Sequence, residues 1–327
     1  MLACHVNCAP CSPTHVIHAE CSSWCLRACA GSVTYAAAVA RGLRNNACIV
    51  TTARDAEDVS DLDGHDTHVI ETNATLTFKH TYTFWGNSRK LQVLQQPKHV
   101  LTADDVPARC RMARVVLVGP LTATDVDVQS FTRPQGFAYR LLQHFQHIGV
   151  MAQGLQRQLD KAGMVTHLRT PSHALLHAVT PATTVFLSDV ETDPWSSEQF
   201  NAVVRRMQRL LVTRGARGVS AYSYSGGPVH VPAEKIKPVD TNGAGDTFAT
   251  GYMLSLARGK SAQQALLQGT WMASRVCLRS QDCKPDCCAE AVQEEPAADK
   301  PELQLLHSKP AAFAEPRLQP EEVPDAS

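Results

Sequence analysis

The chain has 327 residues, 44% of them hydrophobic and 19% charged, with 31 basic side chains balanced by 31 acidic ones. That length suits one large α/β domain or two small ones, and the composition is that of an ordinary globular enzyme. A net charge of +0 argues against a polyanion-binding surface, so nucleic acid is not an expected partner, and no apolar run reaches the ~18 residues of a membrane span.

The 12 cysteines are unevenly placed. Cys4, Cys8, Cys11, Cys21, Cys25 and Cys29 crowd the start, and another group lies between Cys277 and Cys288. Only Cys48 and Cys110 occupy the long middle. A secreted disulfide framework spreads its cysteines through a small fold, so the main domain is expected to be reduced and intracellular. The expected compartment is the cytoplasm, with a plastid address left open. The N-terminal group, near His5, His15 and His18, does not give the paired C-x-x-C knuckles of a zinc site. Residues 1–29 hold few acids and no lasting period. They read as a Cys-rich, poorly ordered leader lacking the marks of a transit or signal peptide.

Regular structure is expected from "AGSVTYAAAVARGL", residues 30–43, a glycine turn followed by an alanine-rich helix ending near Gly42. "ACIVTTA" reads as a short strand. Between residues 68 and 95 the period changes to two. In "TLTFKHTYTFW", Leu76, Phe78, His80, Tyr82 and Phe84 share one face, and Thr75, Thr77, Lys79, Thr81 and Thr83 the other. Gly86-Asn87 supplies a turn, and "RKLQVLQQ" returns as the partner strand. A hairpin with one apolar face has to cover something. It is expected to form a small lid over a larger domain and to offer a contact for a homodimer.

From residue 113 onward, short apolar runs alternate with helical patterns. "ARVVLVGPL" reads as a buried strand, "FAYRLLQHF" as a helix, and "HIGVMAQ" and "TTVFLSDV" as strands. "SEQFNAVVRRMQRL" reads as an amphipathic helix, "RLLVTRG" as a strand, and "VSAYSYSGGPVHVPA" as a hairpin. Such alternation predicts an α/β fold, a doubly wound and mostly parallel sheet with helices on both faces. Ser261 and Gln264 form a capping box for a last helix. The domain is placed at residues 30–288, and residues 289–327, rich in Glu, Pro, Ala and Gln, read as a disordered tail.

"VDTNGAGDTFATGY", residues 239–252, carries the most pointed chemistry. A strand-like stretch closes at Asp240 and a helical pattern opens by Phe248, so "TNGAGD" spans a strand-to-helix crossover, where open parallel sheets bind ligands. Its glycines let the backbone approach an anion, and the helix start adds a positive field of about half a charge. Asp246 at the edge of such an anion hole would repel a phosphate, unless it serves as base for an incoming hydroxyl. The bland alternative is that Asp246 merely caps a helix. Spacing excludes two other readings. A dinucleotide G-x-G-x-x-G would need glycine at Phe248, and a P-loop ending in "GKS" would need one at Leu254.

"DTNGAGDTF" closely resembles the C-terminal signature of the ribokinase family, the PfkB carbohydrate kinases. The likeness spans roughly residues 30–285 and includes the early glycine turn, the hairpin lid and "VTRGARG". Within the family the chain looks most like the plant and algal branch containing inositol 3-kinase. The resemblance implies a ribokinase-like fold and transfer of the γ-phosphate of ATP to a small sugar or polyol, with Mg2+ and with K+ as a further expectation. By the same resemblance Asp246 is the catalytic base, and Gly243, Ala244 and Gly245 form the anion hole. Thr213, Gly215 and Gly218 match the nucleotide-side turn. Asp240 and Thr241 match positions near a monovalent-cation site. Glu191 in "SDVE" matches an acid that helps organise magnesium, although Ser188 replaces the usual Asn. Gly31, Ser32 and Gln153 fall on the acceptor side.

Two departures shape the remaining expectations. The family's first strand usually ends in a substrate-contacting Asp, whereas this chain offers Cys-rich sequence and no Asp before Asp55. The first strand is therefore expected to be missing, unless "THVIHAE" fills its place. The segment after Cys277 also lacks an expected glycine. A nucleoside kinase of the same fold, and a non-catalytic homologue that lacks the substrate strand, are the alternatives to a sugar or polyol kinase.

Overall fold

The computed structural model describes residues 2–6, 32–55, 59–82, 89–133 and 145–278. The N-terminal strand is present, which corrects the expectation drawn from the cysteines. β1 (Leu2–Val6) lies inside the main sheet, parallel to β2 (Cys48–Ala53) on one side and to β6 (Val115–Val118) on the other. A central parallel strand is covered on both faces, so it needs neither alternation nor more than about five residues to form. "LACHV" meets that requirement while looking like part of a leader. Residues 7–29, including "THVIHAE", lie outside the described residues.

The sheet has nine strands in the order β13-β12-β11-β10-β7-β6-β1-β2-β3. The remaining members are β3 (Asp66–Glu71), β7 (His147–Met151), β10 (Thr183–Ser188), β11 (Arg209–Thr213), β12 (Val219–Ser223) and β13 (Gly226–Val231). All neighbours pair in parallel except β11–β12 and β12–β13, which form an antiparallel edge. This is the expected doubly wound, mostly parallel sheet. Residues 66–71 belong to its far edge and not to the lid, which was expected to begin near residue 68.

Buried strands send alternate residues to opposite faces. Val116 and Val118 join a core with Val150, Leu187, Phe131, Leu175 and Trp195, beneath α2 (Val128–Thr132) and α3 (His173–Ala178). Val115 and Leu117 point the other way and meet Phe248, Tyr252 and Met253. These come from the helix that follows the quoted motif. On this face lies α1 (Ser32–Gly42), its Ala-rich surface packed with Ile49, Leu254 and Met272. After α4 (Asp189–Thr192), α5 (Ser197–Val204) ends sooner than its apolar pattern suggests. The chain from Arg209 is taken by β11, where Leu210, Leu211 and Val212 are fully buried. Two long helices, α6 (Ala244–Ala257) and α7 (Ala262–Cys277), complete this face. The expected helix over "FAYRLLQHF" falls largely outside the described residues.

The lid is larger than the predicted hairpin. β4 (Thr77–Tyr82) and β5 (Arg89–Gln95) pair antiparallel, as expected. A second small hairpin, β8 (Arg157–Leu159) with β9 (Val165–His167), joins them through a Gln92–Met164 bridge. The amide of Val93 also donates to the Gly163 carbonyl at 2.8 Å. Leu76 and Phe78 are buried, but so are Thr75 and Thr77. The threonine face at the lid's base is not solvated, because the Thr75 hydroxyl accepts the amide of Arg54 at the end of β2, 2.9 Å away. The side chains of His80 and Tyr82, and residues 83–88, lie outside the described residues.

The two middle cysteines correct another expectation. Cys48 and Cys110 form a disulfide with Cα atoms 5.8 Å apart, so the domain is not fully reduced. Their separation of 62 residues concealed the proximity created when β2 and the turn before β6 come together. No described helix is long and apolar enough to cross a membrane.

Candidate active site

The helix starts where the motif predicts, but no strand closes at Asp240: β13 ends at Val231, and residues 232–243 lead into α6 as a loop. Gly243 stands at the N-cap of α6 with φ of +73°, a left-handed conformation that side chains other than glycine's rarely adopt. A Cβ there would also lie 2.2 Å from the Tyr35 ring, which packs directly on the turn from α1. Gly245 differs, since a Cβ added there meets nothing within 4 Å. No side chain caps this helix start. Open space over uncapped N–H groups in the first turn of a 14-residue helix is a cradle that fits a phosphate. Ala244 is the first helical residue, and its amide turns back to the Thr241 carbonyl.

Asp246 is placed by the first turn of α6, partly exposed at the rim of that cradle. Burial pushes its carboxyl above the usual range. Against this, a hydrogen bond from the Ser32 hydroxyl, the positive charge of Arg157 and its own backbone amide favour the ionised form. Ser32 begins α1, and Tyr35 stands one turn further along. The same end of α1 therefore holds both the carboxylate and the glycine turn. Of the acceptor-side expectations, Ser32 is brought to Asp246. Gly31 lies outside the described residues. Gln153 sits just beyond β7 at the cap of a 3-10 turn, Gly154–Gln156, half-buried.

The expected nucleotide-side turn follows β11. Thr213 closes that strand, its hydroxyl donating to the Leu187 carbonyl at 3.4 Å. Gly215 has open space around it, whereas a Cβ on Gly218 would lie 2.1 Å from the Val231 carbonyl oxygen. Gly218 thus serves packing and Gly215 leaves room. Arg217 and Arg214 tie this turn to Asp189 at 2.6 Å and Asp193 at 3.4 Å.

Glu191 is almost fully buried and turned back into the start of its own helix. Its Oε2 accepts the Ser188 amide at 2.6 Å and the Ser188 hydroxyl, and its Oε1 lies 3.7 Å from Nδ1 of His167. Ser188, which replaces the expected Asn, is thus the residue that engages this acid. Asp240 closes a local turn by accepting the Asn242 amide at 3.0 Å. The neighbouring amide of Val239 donates to the Cys277 carbonyl at 2.8 Å, which pins the loop that carries Asp240 and Thr241 to the end of α7.

Sequence reasoning missed Arg157 and Asp125. Arg157 is buried at the start of β8 and donates from Nη1 to the Leu121 carbonyl at 2.9 Å. Its guanidinium lies 5.7 Å from the centre of the Phe78 ring in the lid. Asp125, fully buried in the loop after β6, accepts the amides of Leu121 at 2.8 Å and Thr122 at 3.2 Å. Its Oδ1 makes no hydrogen bond. Burial pushes its carboxyl up to about 7, against the pull of those amides and of Arg157. The available signal was a lone arginine inside the extended run "GLQRQL", where a buried charge must have partners.

The profile of the pfkB family carbohydrate kinases matches residues 149–287. Among curated proteins, inositol 3-kinase of Zea mays is 33% identical over 128 residues, covering 38% of this chain and 32% of its own length. Ribokinase of Bacillus subtilis is 43% identical over 58 residues, covering 18% of this chain and 20% of its own. The matched stretches thus span less than a third of these relatives. Among solved structures, a pyrophosphate-dependent kinase in the ribokinase family, complexed with a pyrophosphate analog and myo-inositol, superposes with a TM-score of 0.66 at 14% identity. It covers 88% of this chain and 98% of that one. Arabidopsis thaliana ribokinase, complexed with ribose and ATP, gives a TM-score of 0.59 at 13% identity, covering 90% and 98%. At such identities the structural likeness speaks for the fold alone, which is that of the ribokinase-type kinases.

Proposed function

We propose that this chain, whose residues 149–287 match the profile of the pfkB family carbohydrate kinases, transfers the γ-phosphoryl group of ATP to a hydroxyl of a small sugar or polyol, inositol-like acceptors included. The observation that carries this reading is the Asp246 carboxylate, held by Ser32 beside an open, uncapped helix start. The acceptor O–H gives its proton to Asp246 while its oxygen forms the new bond to phosphorus. The bond from phosphorus to the bridging oxygen breaks, and ADP leaves. Backbone N–H groups around Gly243, Ala244 and Gly245 take up charge on the transferring group. Gly215 leaves room on the nucleotide side, near Thr213 and Gly218, and the lid excludes water.

Mg2+ supplies neutralisation of the phosphate charge. Glu191, whose Oε2 is given to Ser188, is the acid that would help hold that ion. The loop at Asp240 and Thr241 is the proposed place for K+, held against the end of α7. Gln153 and Ser32 line the acceptor side, and the lid edge is the proposed homodimer contact. The nucleoside-kinase alternative shares every one of these groups and differs only in the acceptor.

The test is a screen of ADP release and product mass over inositols, pentoses, hexoses and nucleosides. Pyrophosphate serves as a second donor arm, because one of the similar folds uses it. A phosphorylated sugar or polyol is expected. Turnover of nucleosides alone supports the alternative, and no transfer to any acceptor overturns the assignment.

A further inference from the structure

We propose that Arg157 is a positioning residue for this reaction, its guanidinium joining the lid to the Asp246 carboxylate so that closure over the acceptor and orientation of the base are one event. This rests on the phosphoryl-transfer reading and adds to it a residue outside the glycine-rich motif.

Two separate segments meet at this side chain, and its charge reaches a third. The lid contributes the face of Phe78, 5.7 Å from the guanidinium carbon. The loop after β6 contributes the Leu121 carbonyl, 2.9 Å from Nη1, and the buried carboxyl of Asp125. The charge of Arg157 also acts on Asp246 at the start of α6. Its own backbone opens β8, the hairpin that completes the lid through the Gln92–Met164 bridge. Movement of the lid therefore moves the base's cationic neighbour.

The groups facing Asp246 come from two other elements. Ser32 on α1 gives a hydrogen bond, and Arg157 on β8 gives charge, both favouring the ionised carboxylate against its burial. Asp125 accepts the Leu121 amide while Arg157 donates to the Leu121 carbonyl, and its carboxyl draws on the same cation. A planar guanidinium can serve a carbonyl, an aromatic face and a carboxylate field together, which a lysine ammonium cannot do from one position.

The test follows the carboxyl resonance of Asp246 in full-length protein labelled with 13C at Asp, recognised by its loss in Asp246→Asn. In Arg157→Gln its titration midpoint is expected to move up. In Arg157→Lys the midpoint stays near wild type because the charge remains, while kcat falls about tenfold with Mg-ATP affinity unchanged. An Arg157→Gln midpoint equal to wild type overturns the proposal, and so does an Arg157→Lys enzyme with wild-type kcat. Should Arg157→Gln fail to fold, the kcat of Arg157→Lys decides. The titration needs no turnover. A wild-type protein that phosphorylates nothing would sink the kinase reading while the resonance still reports whether Arg157 governs Asp246.

Discussion

On the motif side, the run from Asp240 to Asp246 presents the proposed anion-binding groups as backbone N–H in one short stretch leading into α6. Around Asp246 on the proposed acceptor side, Ser32, Phe78, Asp125 and Arg157 come from four separate segments and are brought near one another only by the fold. The first arrangement depends on φ angles and on the absence of side chains, as at Gly243 and Gly245. The second depends on long side chains held at the right distance by packing. The family profile also begins at residue 149, so it covers the motif, Arg157 and Gln153 but not Ser32, Phe78 or Asp125. Backbone chemistry leaves a contiguous signature, whereas convergent side chains leave isolated letters.

The largest effect that would test this contrast is at the turn. Gly243→Ala forces a left-handed residue against the Tyr35 ring and is expected to cost about 2–4 kcal/mol of stability, strain and overpacking together. Gly245→Ala fills open space in a helix. It should leave the melting temperature unchanged or slightly higher, while weakening Mg-ATP binding and turnover. Thermal melts beside nucleotide titrations separate the two. Equal destabilisation by both variants would erase the distinction between a packed glycine and one that leaves room for a ligand.

Next in size is the pH dependence set by Asp125. Its folded-state value of about 7 lies well above that of an unfolded Asp, so the folded chain keeps a proton the unfolded chain has released. Stability from this group is therefore highest in acid, falls as pH rises from about 4 to 7, and then levels. Asp125→Asn removes the titration and keeps an acceptor for the amides of Leu121 and Thr122. Between pH 5 and 8 the variant should gain about 2–3 kcal/mol relative to wild type, read from urea unfolding at each pH. Parallel pH profiles would show that Asp125 is not the buried acid described.

The smallest effect concerns the lid. Phe78 and Leu76 belong to the core, so a useful truncation spares them and replaces only residues 81–90 with a short linker. The ratio of ATP hydrolysis to acceptor phosphorylation should rise severalfold as water gains access. An unchanged ratio would make the lid a structural or dimerising element.

Much of the fold was legible, because strand and helix periods in the second half are strong and the turn chemistry at 239–246 is local. β1 was hidden, since a strand of 5 residues between two parallel neighbours is too short to show a period of its own. The β8–β9 hairpin was hidden for the same reason of length, with strands of 3 residues each. The Cys48–Cys110 bridge and the meeting of Ser32 and Arg157 at Asp246 depend on chain segments brought together only by the fold. Glu191 was legible as an acid at a helix start, but the capping box with Ser188 was not separated from a role at magnesium.

The most direct test is single-turnover transfer of a labelled γ-phosphate from ATP to the best acceptor, measured from pH 5 to 9 for wild type and Asp246→Asn. The wild-type rate should rise with pH to a plateau, its midpoint shifted above the ordinary carboxylate range in the direction burial pushes Asp246. The variant should bind Mg-ATP as well as wild type yet transfer about a thousandfold more slowly at the plateau, with that limb gone. A variant that transfers at the wild-type rate, following the wild-type curve, would contradict the assignment of Asp246 as the base.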